Sequence, residues 1–209
     1  MDANNTSVRM PRLPPTPLVS YGYTIRTRDD KSHRILIVEL HSEHLEQVKQ
    51  FVSGVKEQDD YFREKAWNEQ KAGVNKTLLF FNKGVIWGYV TYGISRIRVH
   101  NLPAYFQQLG INDYGPEPVF LIAQYAISES LQGQGIGSEL LEFVKTHLMH
   151  LALELGGIGI SLFCIMDNEG EKRVSFYEKA GFYALSKKPV DGRVQMFYAF
   201  DRAYSDVYS

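Results

Sequence analysis

Val119-Phe120-Leu121-Ile122-Ala123-Gln124-Tyr125-Ala126-Ile127-Ser128, followed closely by Leu131-Gln132-Gly133-Gln134-Gly135-Ile136-Gly137, is the stretch on which the fold turns. Its first nine residues are almost continuously apolar and rich in β-formers, as expected of a buried strand. Beyond the glycines, Leu140, Leu141, Val144, Leu148, Leu151 and Leu155 keep one helical face,. Glycines at 133, 135 and 137 let the chain bend sharply and present successive N–H groups unobstructed by side chains,. With the positive end of a helix beginning near Ser138, those donors suit an anion such as a pyrophosphate. A plain tight turn stays open as the alternative. A dinucleotide-binding unit does not, because it needs an acidic residue at a strand end about 20 residues on. Here Glu154 falls inside the Leu-rich helix.

Working outward, Gly156 and Gly157 end that helix, Ile158 to Ile165 reads as a further strand, and Glu171 to Ala180 as a helix stopped by Gly181 as a C-terminal cap,. Val194 to Phe200 reads as the last strand. Upstream, Thr77 to Phe81 and Val85 to Tyr92 form a hairpin around Asn82-Lys83-Gly84,. Further back, helices are expected over His44–Val55 and Asp60–Lys71, preceded by strands at Tyr21–Ile25 and Ile35–Leu40,. A long connection from Arg98 to Pro118 carries one helical turn, Ala104 to Leu109, and connections of that length are often functional,.

At 209 residues and 44% hydrophobic content, the chain suits one core: a flexible arm over residues 1–20, with four prolines between Pro11 and Pro17, then one domain over residues 21–209,. A net charge of -1 gives no overall pull towards polyanions,. The single cysteine, Cys164, cannot form an intramolecular disulfide, and no apolar run is long enough to span a bilayer,. A soluble cytoplasmic protein without membrane partners is expected.

The 119–137 stretch resembles the acetyl-CoA motif of the GNAT superfamily of N-acetyltransferases, written Arg/Gln-x-x-Gly-x-Gly/Ala, with its preceding strand. Phe176-Tyr177-Glu178-Lys179-Ala180-Gly181-Phe182 is similar to the family's second motif, in which a Tyr-bearing helix runs into Gly-Phe. The resemblance implies one α/β (α+β) domain: a mixed, mostly antiparallel sheet of about seven strands, splayed at the acetyl-CoA site and flanked by about four helices. It implies acetyl-CoA as co-substrate and no metal. Backbone groups of Tyr125, Ala126 and Ile127 would pair with the pantetheine arm as with an added strand. Those of Gln132, Gly133, Gln134, Gly135, Ile136 and Gly137, with Ser138 at the helix start, would hold the pyrophosphate.

Tyr177 matches the position whose phenol faces the thioester sulfur. An ordinary phenol, with a pKa of about 10, is protonated at neutral pH and can protonate a departing thiolate. The strand offers no carboxylate as base, Leu121 standing near the place where some branches have Glu; Glu117 and Asp113 are the nearest acids, and water is the other acceptor for the proton. The helix start also departs from the pattern, with Gly170 and Arg173 where Asn and Ala are common.

His41 with His44, and His147 with His150, have helical spacing but no third ligand in view,. Cys164 reads as a buried, inert thiol. Three functions stand side by side. The first is acetyl transfer to a small-molecule or peptide amine by direct attack, an N–H near Ile127 steadying the oxyanion. The second follows the chain's similarity to GNAT toxins that acetylate aminoacyl-tRNA, for which Arg96, Arg98, His100, Lys172 and Arg173 supply local positive charge,. The third is a non-catalytic acyl-CoA sensor. Tyr61, Trp67, Tyr105 and Phe106 are candidates to line an acceptor cleft, and the family resemblance leaves a homodimer open.

Overall fold

The computed structural model describes residues 21–98, 107–108, 116–186 and 188–200. The N-terminal arm, His100, Tyr105, Phe106, Asp113 and nearly all of the connection from Arg98 to Pro118 lie outside the described residues.

Eight strands form one sheet: β1 (Tyr21–Arg26), β2 (Ser32–Glu39), β3 (Lys76–Asn82), β4 (Val85–Ile97), β5 (Glu117–Ile127), β6 (Gly159–Ile165), β7 (Tyr183–Ala184) and β8 (Arg193–Ala199), in the order β1-β2-β3-β4-β5-β6-β8-β7. Every neighbouring pair is antiparallel except β5 and β6. Those two are joined through the 20-residue helix α4 (Ile136–Leu155), and a parallel pair needs a crossover of that length,. The eighth strand is β7, two residues with no periodicity for a sequence to display.

Among the described residues, five α-helices with defined bounds cover the sheet: α1 (Leu45–Gln50), α2 (Lys56–Glu64), α3 (Ala66–Lys71), α4 (Ile136–Leu155) and α5 (Gly170–Lys179). The expected helix from His44 to Val55 stops at Gln50. Phe51 turns extended and its carbonyl accepts Arg63 Nη2 at 2.7 Å, while Gly54 takes a left-handed φ of 81°. The second expected helix starts earlier, at Lys56, and breaks at Lys65. Asp59 sits in its first turns and accepts both Ser53 N and Ser53 Oγ, at 2.8 and 2.7 Å, which sets where the helix begins,.

On one face, α4 buries Leu140, Leu141, Val144 and Leu148 against Ile35, Phe80, Val90, Ile122 and Ile160. On the other, α1, α2 and α3 bury Val48, Phe62 and Ala66 against Leu79, Phe81 and Tyr89, the Phe62 and Tyr89 rings stacking 3.9 Å apart. Burying each such side chain contributes about 1.5–3 kcal/mol, so the faces of these strands are strongly specified. Among the described residues no helix is long and apolar enough to cross a membrane.

One irregularity shapes the site. Thr91 pairs with Gln124 but Tyr92 with Ile122, so Ala123 is an extra residue in β5. The bulge flips the side-chain alternation. Phe120 and Ile122 face α4, and beyond the bulge Tyr125 and Ile127 do so, leaving Ala126 on the opposite face. β5 pairs with β6 at Phe120, Leu121 and Ile122 and no further, although β6 continues along β8 to Ile165. A bulged strand bends, and here the two central strands part at the bulge.

Candidate active site

The end of β5 runs through a short 3-10 turn, Glu129–Leu131, into the glycine loop. Gly133 and Gly135 have φ of 77° and 88°, left-handed values that other residues adopt only at a cost of about 1–2 kcal/mol,. α4 then starts at Ile136. The Ser138 and Glu139 amides both donate back to the Gly135 carbonyl, at 3.1 and 3.3 Å. The five N–H groups from Gly133 to Gly137 have no acceptor among the described residues. Consecutive unpaired amides at the start of a 20-residue helix form a concave anion site, with the helix dipole adding to it,. They are five of the six loop amides expected to hold the pyrophosphate; the sixth, of Gln132, donates to Glu129 O at 3.2 Å, and the Ser138 amide is likewise engaged, so of Ser138 the side chain alone is free for an anion.

Four contacts hold this loop in shape. Gln132 Nε2 donates to Ser53 O at 2.8 Å and to Ile127 O at 3.0 Å, tying the loop to the α1–α2 connection and to the end of β5. Arg28 N donates to Gln134 O at 3.0 Å, and Tyr125 Oη to Gly137 O at 2.5 Å. The Tyr125 hydroxyl reaches Gly137 because the bulge aims its side chain under α4.

Strand alternation decides which edge groups face the splay. A Cβ on Gly88 would stand 2.6 Å from Ala126 O, so that carbonyl points into β4. Ala126 was expected to meet the pantetheine arm; its polar groups belong to the β4 ladder instead. Tyr125 and Ile127 have theirs on the splayed edge, where Gln58 Nε2 already donates to Tyr125 O at 3.2 Å and Gln132 to Ile127 O,. What β5 offers a ligand there is two N–H groups.

Tyr177 sits in the last turn of α5. The Phe182 amide donates to Tyr177 O at 3.0 Å and the Gly181 amide to Glu178 O at 2.9 Å, with Gly181 at φ 89°. This is a Schellman cap, and Phe182 makes the hydrophobic contact that accompanies it, its ring centroid 5.5 Å from that of Tyr177,. The Gly-Phe of the sequence motif is thus the device that fixes the tyrosine. Phe176 packs on it edge to face at 5.0 Å. The ring is half-buried, and its hydroxyl has no hydrogen-bond partner among the described residues. Burial pushes the phenol pKa well above its ordinary value, the nearby Cys164 adds to the rise, and Arg173 opposes it. Tyr177, Tyr125, Ile127, Gln132 and the loop glycines line one open cleft of about 510 Å³.

Three cations at this cleft carry no signal in the motifs. Arg28, in the β1–β2 turn, is a hundred residues upstream of the loop, and its guanidinium is unpaired among the described residues. Lys172 pairs with Glu169 at 2.7 Å. Arg173 donates to Ile165 O and Asp167 Oδ2, both at 2.7 Å. Although the start of α5 departs from the common pattern, its side chains do face the cleft. Arg28, Lys172 and Lys179 also line an adjoining groove of about 450 Å³ between α4 and α5.

Other sequence candidates lie elsewhere. Glu117 is ten residues from Ile127 at the far end of β5, about 33 Å at strand spacing, and cannot serve as base at the splay,. Tyr61 bonds Glu69 at 2.6 Å and packs with Trp67 on the α1–α3 core. His44 Nδ1 accepts the His41 amide at 3.0 Å, and His147 Nε2 shares a hydrogen bond with Tyr92 Oη at 3.0 Å. Burial raises the Cys164 pKa to about 11, against a smaller pull from Arg173. Among the described residues no three His, Cys, Asp or Glu side chains converge on a metal site.

Solved structures with this fold include AtaT complexed with acetyl-methionyl-tRNAfMet (TM-score 0.68, 19% identity, covering 84% of this chain and 99% of that one). A mutant of KacT is similar at TM-score 0.67 and 19% identity, covering 83% and 99%. AtaTR bound with acetyl-CoA is similar at 0.65 and 18%, covering 84% and 98%. At such identities the likeness is one of fold. The sequence itself goes further: residues 38–182 match the model of the acetyltransferase (GNAT) family. The chain belongs to the GNAT family of acetyltransferases.

Proposed function

We propose that this chain moves an acetyl group from acetyl-CoA directly to an amine within a single ternary complex. The observation that carries this is the convergence, in one cleft, of five unpaired loop amides, the open edge of β5 and the unpartnered hydroxyl of Tyr177. Acetyl-CoA supplies a thioester carbonyl open to attack. The amides of Gly133 to Gly137, with Arg28 beside them, bind its pyrophosphate. The Tyr125 and Ile127 amides orient the arm, and that of Ile127 holds negative charge on the carbonyl oxygen. Tyr177 gives its proton to the sulfur as the C–S bond breaks and the C–N bond forms, and solvent takes the proton from the amine. A binding-only module has no need of an unpartnered phenol aimed into its cleft. The arm over residues 1–20 and a single domain from 21 to 209 belong to the same proposal.

The acceptor is an amine that is neutral without help. The carboxylate lining the cleft, Glu169, is held by Lys172, so an α-amino group with a pKa of about 7.7–8.0 suits the site better than a lysine at about 10.4,. This favours a second, narrower reading, acetylation of the α-amino group of an aminoacyl-tRNA, since AtaT shares the fold and is complexed with acetyl-methionyl-tRNAfMet. The test is thiol release from acetyl-CoA with polyamines, free amino acids, peptides and charged tRNA as acceptors. Turnover with α-amines and none with polyamines is expected; preference for polyamines would overturn the acceptor assignment.

A further inference from the structure

The splay between β5 and β6 opens on both faces of the sheet. The candidate acetyl-CoA cleft runs from the α4 face into the splay, where Val55, Gln58 and Ala126 also line it. On the opposite face, helices α1 to α3 pack on β2, β3 and β4, while along β6 and β8 Ser161 and Phe197 are buried, Phe197 in a separate cluster with Ile97, Val119 and Ile158, and the exposed surface lies nearer the splay. There Phe163 is 50% exposed, one residue beyond Leu162, where β6 makes its last pairing with β5. Phe163 faces Gln195, and Ile165 faces Arg193, so Phe163, Gln195 and Arg193 project from the same face,. The intervening Cys164 projects to the α4 side, where it neighbours Tyr177. Phe163 and Tyr177 therefore flank the splay from its two sides.

Arg98, one residue past β4, lines the same concavity of about 620 Å³ with Phe163 and Arg193, and Leu185 and Val190 form its apolar walls. Neither guanidinium has an ion-pair or hydrogen-bond partner among the described residues. Asp191 is the one lining carboxylate among the described residues, against the two arginines. A half-exposed flat ring beside two free, planar, anion-matching cations is the arrangement that binds a nucleotide: the base stacks on the ring and the phosphates meet the arginines.

We propose that this concavity holds the nucleotide end of the acceptor, with a base on Phe163 and flanking phosphates on Arg98 and Arg193, so that the attached amine reaches Tyr177 through the splay. The proposal rests on the aminoacyl-tRNA reading above for its place in the reaction.

The probe is a fluorescein-labelled single-stranded RNA tetranucleotide, followed by anisotropy with the full chain, alongside calorimetry of acetyl-CoA. Wild type binds the RNA, more weakly as salt rises. Phe163→Leu weakens it about tenfold and Phe163→Trp retains it, because a stacked base is worth on that order. The pair Arg98→Gln and Arg193→Gln weakens it by about tenfold or more and flattens the salt dependence. Each variant keeps wild-type acetyl-CoA affinity, which certifies its fold. RNA binding that ignores all these substitutions overturns the site, as does full displacement of the RNA by a hexaglutamate peptide with no effect of Phe163→Leu. A wild-type chain that binds RNA at Phe163 but no acetyl-CoA sinks the acetyltransferase proposal and leaves the nucleotide site standing.

Discussion

The amide of Phe182 donates to the carbonyl of Tyr177 at 3.0 Å, and the two rings lie 5.5 Å apart. A residue that only ends the helix thereby fixes the phenol that faces the cleft. Gly181 makes the cap possible, at φ 89° and with a Cβ position 3.3 Å from the Tyr198 ring. Gly181→Ala should cost about 1–2 kcal/mol of stability from the left-handed strain and should lower kcat while the KM for acetyl-CoA stays near wild type. Thermal melts and steady-state kinetics on the same preparation check both.

Acetyl-CoA should slow hydrogen exchange at Gly133 to Gly137 and at Tyr125 and Ile127, whose amides are offered to the ligand. Ala126, committed to the β4 ladder, should change least. Equal protection at all three β5 positions would show that the bulge at Ala123 does not select the edge as described.

The rate should rise with pH as the acceptor amine loses its proton. Because the Tyr177 pKa is raised, its phenol stays protonated through and beyond the ordinary phenol range, so no descending limb should occur below about pH 10,. A pH profile of kcat with a fall-off near pH 8 to 9 would point to another acid.

Gln132→Ala removes both side-chain tethers of the glycine loop, to Ser53 O and Ile127 O. At about 0.5–1.5 kcal/mol for each hydrogen bond, a loss of roughly 1–3 kcal/mol is expected, together with a higher KM for acetyl-CoA. Denaturant melts and substrate titrations measure the two effects.

Cys164 should resist iodoacetamide in the native state at pH 8, since a thiol with a pKa of about 11 is only on the order of one part in a thousand thiolate there, and it is buried,. Fast alkylation without unfolding would place it at the surface.

The strand, glycine loop and α4 were legible because each is encoded locally: an apolar run, three closely spaced glycines, and a leucine face. Tyr177 was legible through the motif that caps its helix. The bulge was not, since Ala123 looks like any strand residue and its effect depends on the register with β4. That effect turned the polar groups of Ala126 into the β4 ladder and put Tyr125 under the helix. Arg28 and Gln58 reach the cleft only through tertiary packing, from about a hundred and about seventy residues away, and no pattern near the glycines announces them. The break between α2 and α3 has no breaker residue in it, because Lys65 is itself a good helix former,.

The most direct measurement compares wild type with Tyr177→Phe in acetyl transfer to the best α-amine acceptor, with acetyl-CoA affinity determined on both proteins. A fall in kcat of about 10²–10⁴ with little change in affinity is the predicted result, as expected when a general acid is removed. A Phe variant that turns over at the wild-type rate would contradict the assignment of Tyr177 and, with it, this account of the cleft.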